Sequence, residues 1–283
     1  MGEILQLVAT EKEIRDMRFS RRYDFQVRKS VFSSGTHVMG ILNVTPDSFF
    51  VGSRHAHDAV ETARRFIEQG AEIIDVGGQS TRPGSARVSA IEEMARVLPA
   101  VESIRKEFAD VPISVDTFYP DVAQAALDAG ADMINDVSCL ADENLADVIA
   151  RYGASVCVMH NRRDTKIKDL FLDKEIGLQN AVDKLLRAGV DKRKILLDGG
   201  IGFNKNNAED WDLLNGYDKL IDAFDEYPFL LGTSRKSMFG GDVDTRLSAT
   251  LESTALAVKQ GVLFVRVHDV KENVAMINCT RTR

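Results

Sequence analysis

One unit recurs along the 283-residue chain and restricts its fold more than any other feature. An amphipathic stretch stops at Gly, an apolar run follows, and a polar residue stands five positions after the glycine. Gly70 precedes Asp75 in "GAEIIDVGG", Gly130 precedes Asn135 in "GADMINDVS", and Gly261 precedes Arg266 in "GVLFVRVHDV". "GASVCVMH", from Gly153, and "GVDKRKILLDGG", from Gly189, are looser versions. Glycine supplies the left-handed backbone on which helices end, and an unbroken apolar run suits a strand covered on both faces.

Apolar runs predict about eight strands, near residues 37–42, 72–76, 111–115, 132–135, 154–159, 194–198, 229–232 and 262–267, nearly all separated by helices. Eight alternations of strand and helix predict an α/β fold, a (β/α)8 TIM barrel, with a doubly wound open sheet as the alternative. Helix signals agree. Asp58 with Glu61 and Ser89 with Glu92 have capping-box spacing, and Pro120 sits where a helix should start. Pro99 should kink or split the helix that follows Ser89. No Pro/Gly/Ser-rich linker divides the chain, so residues 1–283 are expected to form a single domain. Residues 1–35 fall outside the repeat and are expected to be an N-terminal extension, a helix and a strand covering the barrel bottom.

A net charge of -7 and a pI near 5.4 argue against general polyanion binding, which needs clustered Lys and Arg. Cys139, Cys157 and Cys279 are odd in number and widely spaced, which suggests buried thiols rather than a disulfide framework or a metal site. Neither a signal peptide nor an apolar span is evident, so a cytoplasmic location is expected.

Barrel active sites lie at the C-terminal strand ends. Asn43, Asp75, Asp116, Asn135, His160, Asp198, Arg266 and His268 should therefore share one mouth. Three glycine-containing loops, "DVGGQSTRPG", "DGGIGFNK" and "GTSRKS", bring Arg82, Arg235 and Lys236 near them, which describes an anion site suited to phosphate. The buried carboxylates Asp75, Asp116 and Asp198 should either bind a metal or accept hydrogen bonds from a ligand rich in N–H donors. His37, His55 and His57 are expected to be solvated, and Trp211 to cover the barrel.

"MGILNVTPDSF", "IIDVGGQSTRPG", "ISVDTF", "MINDVS", "DGGIGF", "SRKSMFG" and "RVHDV", in this order from about residue 37 to 270, resemble the dihydropteroate synthase family, the target of sulfonamide drugs. The resemblance implies a TIM barrel that joins 6-hydroxymethyl-7,8-dihydropterin diphosphate to p-aminobenzoate in folate biosynthesis, releasing pyrophosphate with Mg2+ present, in a homodimer. It assigns Asp116, Asn135, Asp198, Lys236 and Asp75 to the pterin. Asn43, Thr81, Arg82, Arg266 and His268 are assigned to the diphosphate, with Asn43 on Mg2+. Phe49, Pro83 and Phe203 flank the aminobenzoate ring, and Ser237 at a helix N-terminus receives its carboxylate. Asn43, Asp116, Lys236, Arg266 and His268 form the catalytic set, and the implied mechanism is SN1-like.

The chain departs from the family pattern at Val51, where an acid is usual, at Gln79 for Glu, at Gly199 for Pro, and at Cys139 and Leu140. These departures bear on rate. The alternative functions are a non-catalytic pterin-binding paralogue, a methyltetrahydrofolate-dependent methyltransferase, and a Schiff-base aldolase using Lys236.

Overall fold

The computed structural model describes residues 21–44, 54–79, 87–161 and 167–282. Strands β1 (Phe25–Val27) and β2 (Ser30–Phe32) pair as an antiparallel hairpin. Eight further strands follow: β3 (His37–Asn43), β4 (Ile73–Gly77), β5 (Ile113–Asp116), β6 (Met133–Asp136), β7 (Ser155–Met159), β8 (Ile195–Asp198), β9 (Phe229–Leu231) and β10 (Phe264–Val267). They close a parallel barrel in sequence order, β10 pairing with β3. The expected (β/α)8 fold is present and the open sheet is excluded, since closure leaves no sheet edge. Around the barrel lie α1 (Arg54–Glu68), α2 (Ala90–Glu107), α3 (Pro120–Asp128), α4 (Asn144–Tyr152), α5 (Leu170–Ala188), α6 (Asn207–Asn215), α7 (Tyr217–Ala223), α8 (Leu247–Gln260) and α9 (Val270–Arg281). Among the described residues, no helix is long and apolar enough to cross a membrane.

The recurring unit has a direct structural meaning. Gly130 (φ 107°) and Gly261 (φ 83°) end α3 and α8 in the left-handed region, which turns the chain into the next strand. Strand side chains then alternate between the helix layer and the barrel interior. Outward residues such as Ile74, Val76, Val115, Ile134, Val156, Leu197 and Val265 join the helices in one core. Inward residues Met39, Ile73, Met133, Cys157, Leu196, Leu230 and Phe264 form a second core inside the barrel. Asp75, Asn135, Asp198 and Arg266 stand two residues beyond Ile73, Met133, Leu196 and Phe264, so they also point inward, one layer nearer the mouth. The apolar lower layer supports the polar upper one.

The β1–β2 hairpin closes the opposite end. Tyr23, Phe25, Val27 and Phe32 join the inner core, and Phe25 and Phe32 meet Phe264 edge-on at 5.9 and 4.9 Å. The extension thus covers the barrel bottom as expected, but its described part is a two-stranded hairpin rather than a helix and one strand. Residues 1–20, where a helix was expected, lie outside the described residues.

Four local expectations need correction. Pro99 does not split its helix, which runs unbroken over Ala90–Glu107. Only half of the Ser89 capping box forms: Ser89 accepts from the Glu92 amide, while the Glu92 carboxylate takes Arg96 instead. Helix α1 already begins at Arg54, which leaves Asp58 inside it and not at its start. His37 is tied down and not merely solvated, with Nδ1 2.7 Å from Glu72 and its ring against Phe32.

Candidate active site

The strand ends bring Asn43, Asp75, Asp116, Asn135, Asp198 and Arg266 to one mouth. Ladder register sets their heights: Asn43 pairs with Gly77, Gly77 with Asp116, and Asp116 with Asn135. Asp75 pairs with Ser114 and so lies two residues deeper on β4. Arg266 reaches both depths. Its Nε donates to Asp75 Oδ2 at 2.6 Å and its Nη2 to Asp116 Oδ2 at 2.8 Å. Asn135 Nδ2 also donates to Asp75 Oδ2, at 3.3 Å. The Asn135 amide donor expected to meet a pterin ring acceptor is thus turned onto Asp75, because a fully buried carboxylate takes the nearest donors.

One guanidinium serves two carboxylates, and the charges show it. Burial opposes the Arg266 cation, but Asp75 and Asp116 outweigh that and raise its pKa. Asp116 is nonetheless pushed above the ordinary carboxylate range by burial, with Arg266 opposing and Asp75 and Asp136 adding repulsion. Asp75 Oδ1 and Asp116 Oδ1 are buried with no hydrogen-bond partner among the described residues. Asp198 is likewise raised by burial, against the pull of Lys236.

Lys236 crosses the loop after β8, where Gly202 leaves room: a Cβ there would lie 2.8 Å from Lys236 Cδ. Its ammonium donates to Ile201 O and sits 4.7 Å above the Phe203 ring. Burial of that ammonium lowers its pKa to about 8, with Asp198 pulling the other way. Ser237 follows it, exposed, at the start of a three-residue 3-10 turn, Ser237–Phe239. The expected helix N-terminus is therefore only this turn. Gly240 and Gly241 adopt positive φ right after it, and α8 begins at Leu247.

His268 is held by Ser234, whose Oγ accepts from the His268 backbone N–H at 3.2 Å and lies 3.0 Å from Nδ1. The Ser234 hydroxyl can either accept from or donate to Nδ1, so both imidazole tautomers satisfy this contact, which fixes the orientation of the ring. His160 leads elsewhere. It is buried, with Nδ1 2.8 Å from Lys174 Nζ and Nε2 3.7 Å from Asp173. Phe49, Thr81, Arg82 and Pro83, with Val51, lie outside the described residues.

The chemistry of the donor set fits a magnesium ion brought by a diphosphate. Among the described residues no group of three or more His, Cys, Asp or Glu could hold a metal. Half-buried Asn43 instead offers one neutral amide oxygen at the end of β3, enough for an ion that keeps its waters and takes phosphate oxygens.

Sequence reading missed several supports of this site. Ser234 stood inside "GTSRKS" without an assigned role. Arg235 forms a bidentate pair with Asp269, at 3.0 and 2.6 Å, joining the loops that carry Lys236 and His268. Glu93, buried on α2, accepts from Gln79 at 2.7 Å. Tyr217, fully buried, bonds around Asp198. The stretch "WDLLNGYDKLIDAF" breaks at Gly216 into α6 and α7, and α7 starts at that tyrosine. Trp211, expected to cover the barrel, is 40% exposed.

Residues 39–268 match the family model described as pterin binding enzyme. The chain belongs to the dihydropteroate synthase family of pterin-binding enzymes. It is 42% identical to the dihydropteroate synthase of Clostridium beijerinckii over 246 residues, 84% of this chain and 90% of that one. Among solved structures, a Clostridium difficile dihydropteroate synthase determined in the presence of pteroic acid superposes with a TM-score of 0.84 at 41% identity, covering 91% of this chain and 98% of that one. A Xanthomonas albilineans dihydropteroate synthase with 4-aminobenzoic acid gives 0.84 at 36% identity, covering 93% and 98%. In the family's usual pattern a proline stands where this chain has Gly199; here the Gly199 N–H is used, donating to Tyr217 at 2.8 Å.

Proposed function

We propose that this chain condenses 6-hydroxymethyl-7,8-dihydropterin diphosphate with p-aminobenzoate, forming 7,8-dihydropteroate and pyrophosphate. The observation that carries this reading is the pair of orphaned oxygens, Asp75 Oδ1 and Asp116 Oδ1. A buried acceptor left without a donor costs about 1–3 kcal/mol, and an aminopyrimidinone edge supplies N–H donors to such groups. Asp116, Asp75 and Asp198 accept pterin N–H groups, and Lys236 meets its acceptors together with the second N–H of the Asn135 amide, the one that Asp75 does not take.

The Cmethylene–O bond breaks first, and its electron pair leaves with the pyrophosphate oxygen. Arg266 has five N–H donors, and those not used by Asp75 and Asp116 suit phosphate oxygens. His268 adds a donor when its Nε2 carries a proton, which the Ser234 contact allows. Together they offset the negative charge that grows on the leaving group. Asn43 would hold Mg2+, which when bound supplies positive charge to the diphosphate. Electron density from the pterin ring stabilises the methylene cation until the aniline nitrogen forms the new C–N bond and releases a proton. Phe203, beneath the Lys236 ammonium, offers a face for the aminobenzoate ring, with Ser237 near for its carboxylate. Thr81, Arg82, Phe49 and Pro83 complete the diphosphate and aminobenzoate sites in this reading.

A cytoplasmic homodimer completes it. None of Cys139, Cys157 and Cys279 is in a disulfide, which supports a reducing compartment. Leu172, Ile176 and Trp211 expose apolar surface on α5 and α6, which supports pairing; a sedimentation mass of one chain would remove it. The reaction is tested by incubating purified protein with both substrates and Mg2+ and following both products. Equal release of pyrophosphate and dihydropteroate is expected. Pterin binding with neither product would instead favour the non-catalytic paralogue.

A further inference from the structure

We infer that Tyr217 is a positioning residue for Asp198, and that Gly199 is glycine because the tyrosine needs both its N–H and its empty side-chain space. Tyr217 opens α7 and is fully buried, with its ring edge-on to Phe229 at 5.8 Å. Its hydroxyl has three neighbours: it accepts from Gly199 N at 2.8 Å, donates to Leu230 O at 2.6 Å, and lies 3.3 Å from Asp198 Oδ1. One hydroxyl hydrogen serves either Leu230 O or Asp198 Oδ1, while the lone pairs take the Gly199 amide.

The location gives this network its purpose. The ladder between β8 and β9 has only two residue pairs, Leu197 with Phe229 and Asp198 with Leu230. Asp198 is the last residue of β8, paired with Met159 of β7 and Leu230 of β9, and the chain leaves the sheet at the residue after it. The Tyr217 hydroxyl stitches the residue after Asp198 to the residue opposite Asp198, and so fixes the turn on which the carboxylate stands. Gly200 N holds Oδ1 from the other side at 2.7 Å. The aromatic ring fills the space next to Gly199: a Cβ there would lie 2.8 Å from Tyr217 Cε2 and 3.1 Å from Leu220 Cδ1. A side chain at 199 would push the ring away, and a proline would also remove the N–H that the hydroxyl accepts. Positions 199 and 217 therefore act as one unit.

This inference rests on Asp198 being a pterin acceptor. Its test is Tyr217→Phe in the full chain, read by calorimetric binding of 6-hydroxymethylpterin and by separate KM values for the two substrates. A pterin Kd and pterin KM raised about tenfold, with the p-aminobenzoate KM within twofold, are expected. Gly199→Ala keeps the hydroxyl but displaces the ring, and should give the same selective loss. Should the phenylalanine variant fail to fold, this second variant decides. An unchanged pterin Kd in either folded variant would overturn the inference, as would an equal rise in both KM values. Because the binding readout needs no turnover, a wild-type chain without synthase activity would leave this test intact.

Discussion

Arg266 Nε stands 2.6 Å from Asp75 Oδ2 and links two strands, β10 and β4, that are separated in the barrel by β3. The same side chain reaches Asp116, so removing it strands two buried carboxylates at once. Breaking a buried ion pair from one side costs about 3–5 kcal/mol. Arg266→Ala should therefore lower the urea midpoint strongly at pH 8. Without the cation the folded pKa of Asp116 rises further above its unfolded value, so folding takes up a proton and stability falls as pH rises. The loss should accordingly shrink toward pH 5. A loss that is the same at both pH values would show that the carboxylates are not responsible.

Lys236 makes a prediction in the opposite pH range. Its pKa is lowered to about 8, chiefly by burial, so the ammonium loses its charge above pH 8. Affinity for the pterin diphosphate should fall above pH 8, because a neutral amine gives a weaker hydrogen bond to ring acceptors and no charge to the diphosphate. Lys236→Arg should move this alkaline limb upward, even if it weakens binding overall. An alkaline limb that stays near 8 in the arginine variant would assign the titration elsewhere.

The barrel was legible because its cause is local. Each glycine stop and apolar run is a few residues long, and the inward placement of Asp75, Asn135 and Arg266 follows from strand alternation alone. What escaped depends on contacts between distant segments. Nothing near Tyr217 in the chain reveals that its hydroxyl meets Gly199 and Leu230, and the Asn135 amide turned onto Asp75 only because the barrel closes. The extension was read as a strand and helix because its hairpin strands, three residues each, are too short to show an alternation.

Glu93 was also hidden, as one acid among several on a helix, yet it is fully buried and its pKa rises to about 7. Burial is the main cause; the Thr117 hydroxyl opposes it, Asp116 adds to it, and Gln79 opposes it. Between the unfolded value near 4.5 and 7, the folded state binds the proton more tightly, so stability is lost as pH rises through that window. The slope approaches about 1.4 kcal/mol per pH unit for one group. Glu93→Gln keeps an amide oxygen for Gln79 and cannot ionise. It should raise the melting temperature relative to wild type at pH 8 more than at pH 5, whereas equal shifts would mean that Glu93 stays charged in both states.

The Arg235–Asp269 pair tests whether the two loops of the mouth act together. Arg235 has a φ of 58°, a conformation costing a non-glycine residue roughly 1–2 kcal/mol. Its surroundings impose it: Arg235 N donates to Thr250 Oγ1, Arg246 Nη1 donates to Arg235 O, and the guanidinium takes both Asp269 oxygens. The next residues are Lys236 on one side and His268 on the other. As a partly exposed pair it adds at most about 1 kcal/mol to stability, so its loss should be read in catalysis. Asp269→Asn is expected to lower kcat/KM about tenfold with a small change in melting temperature, because Lys236 and His268 lose a common reference. Arg235→Lys cannot keep the fork geometry and should have a similar effect. If both variants act by breaking one clamp, the double variant is no worse than either single one, and multiplied losses in the double variant would refute the clamp.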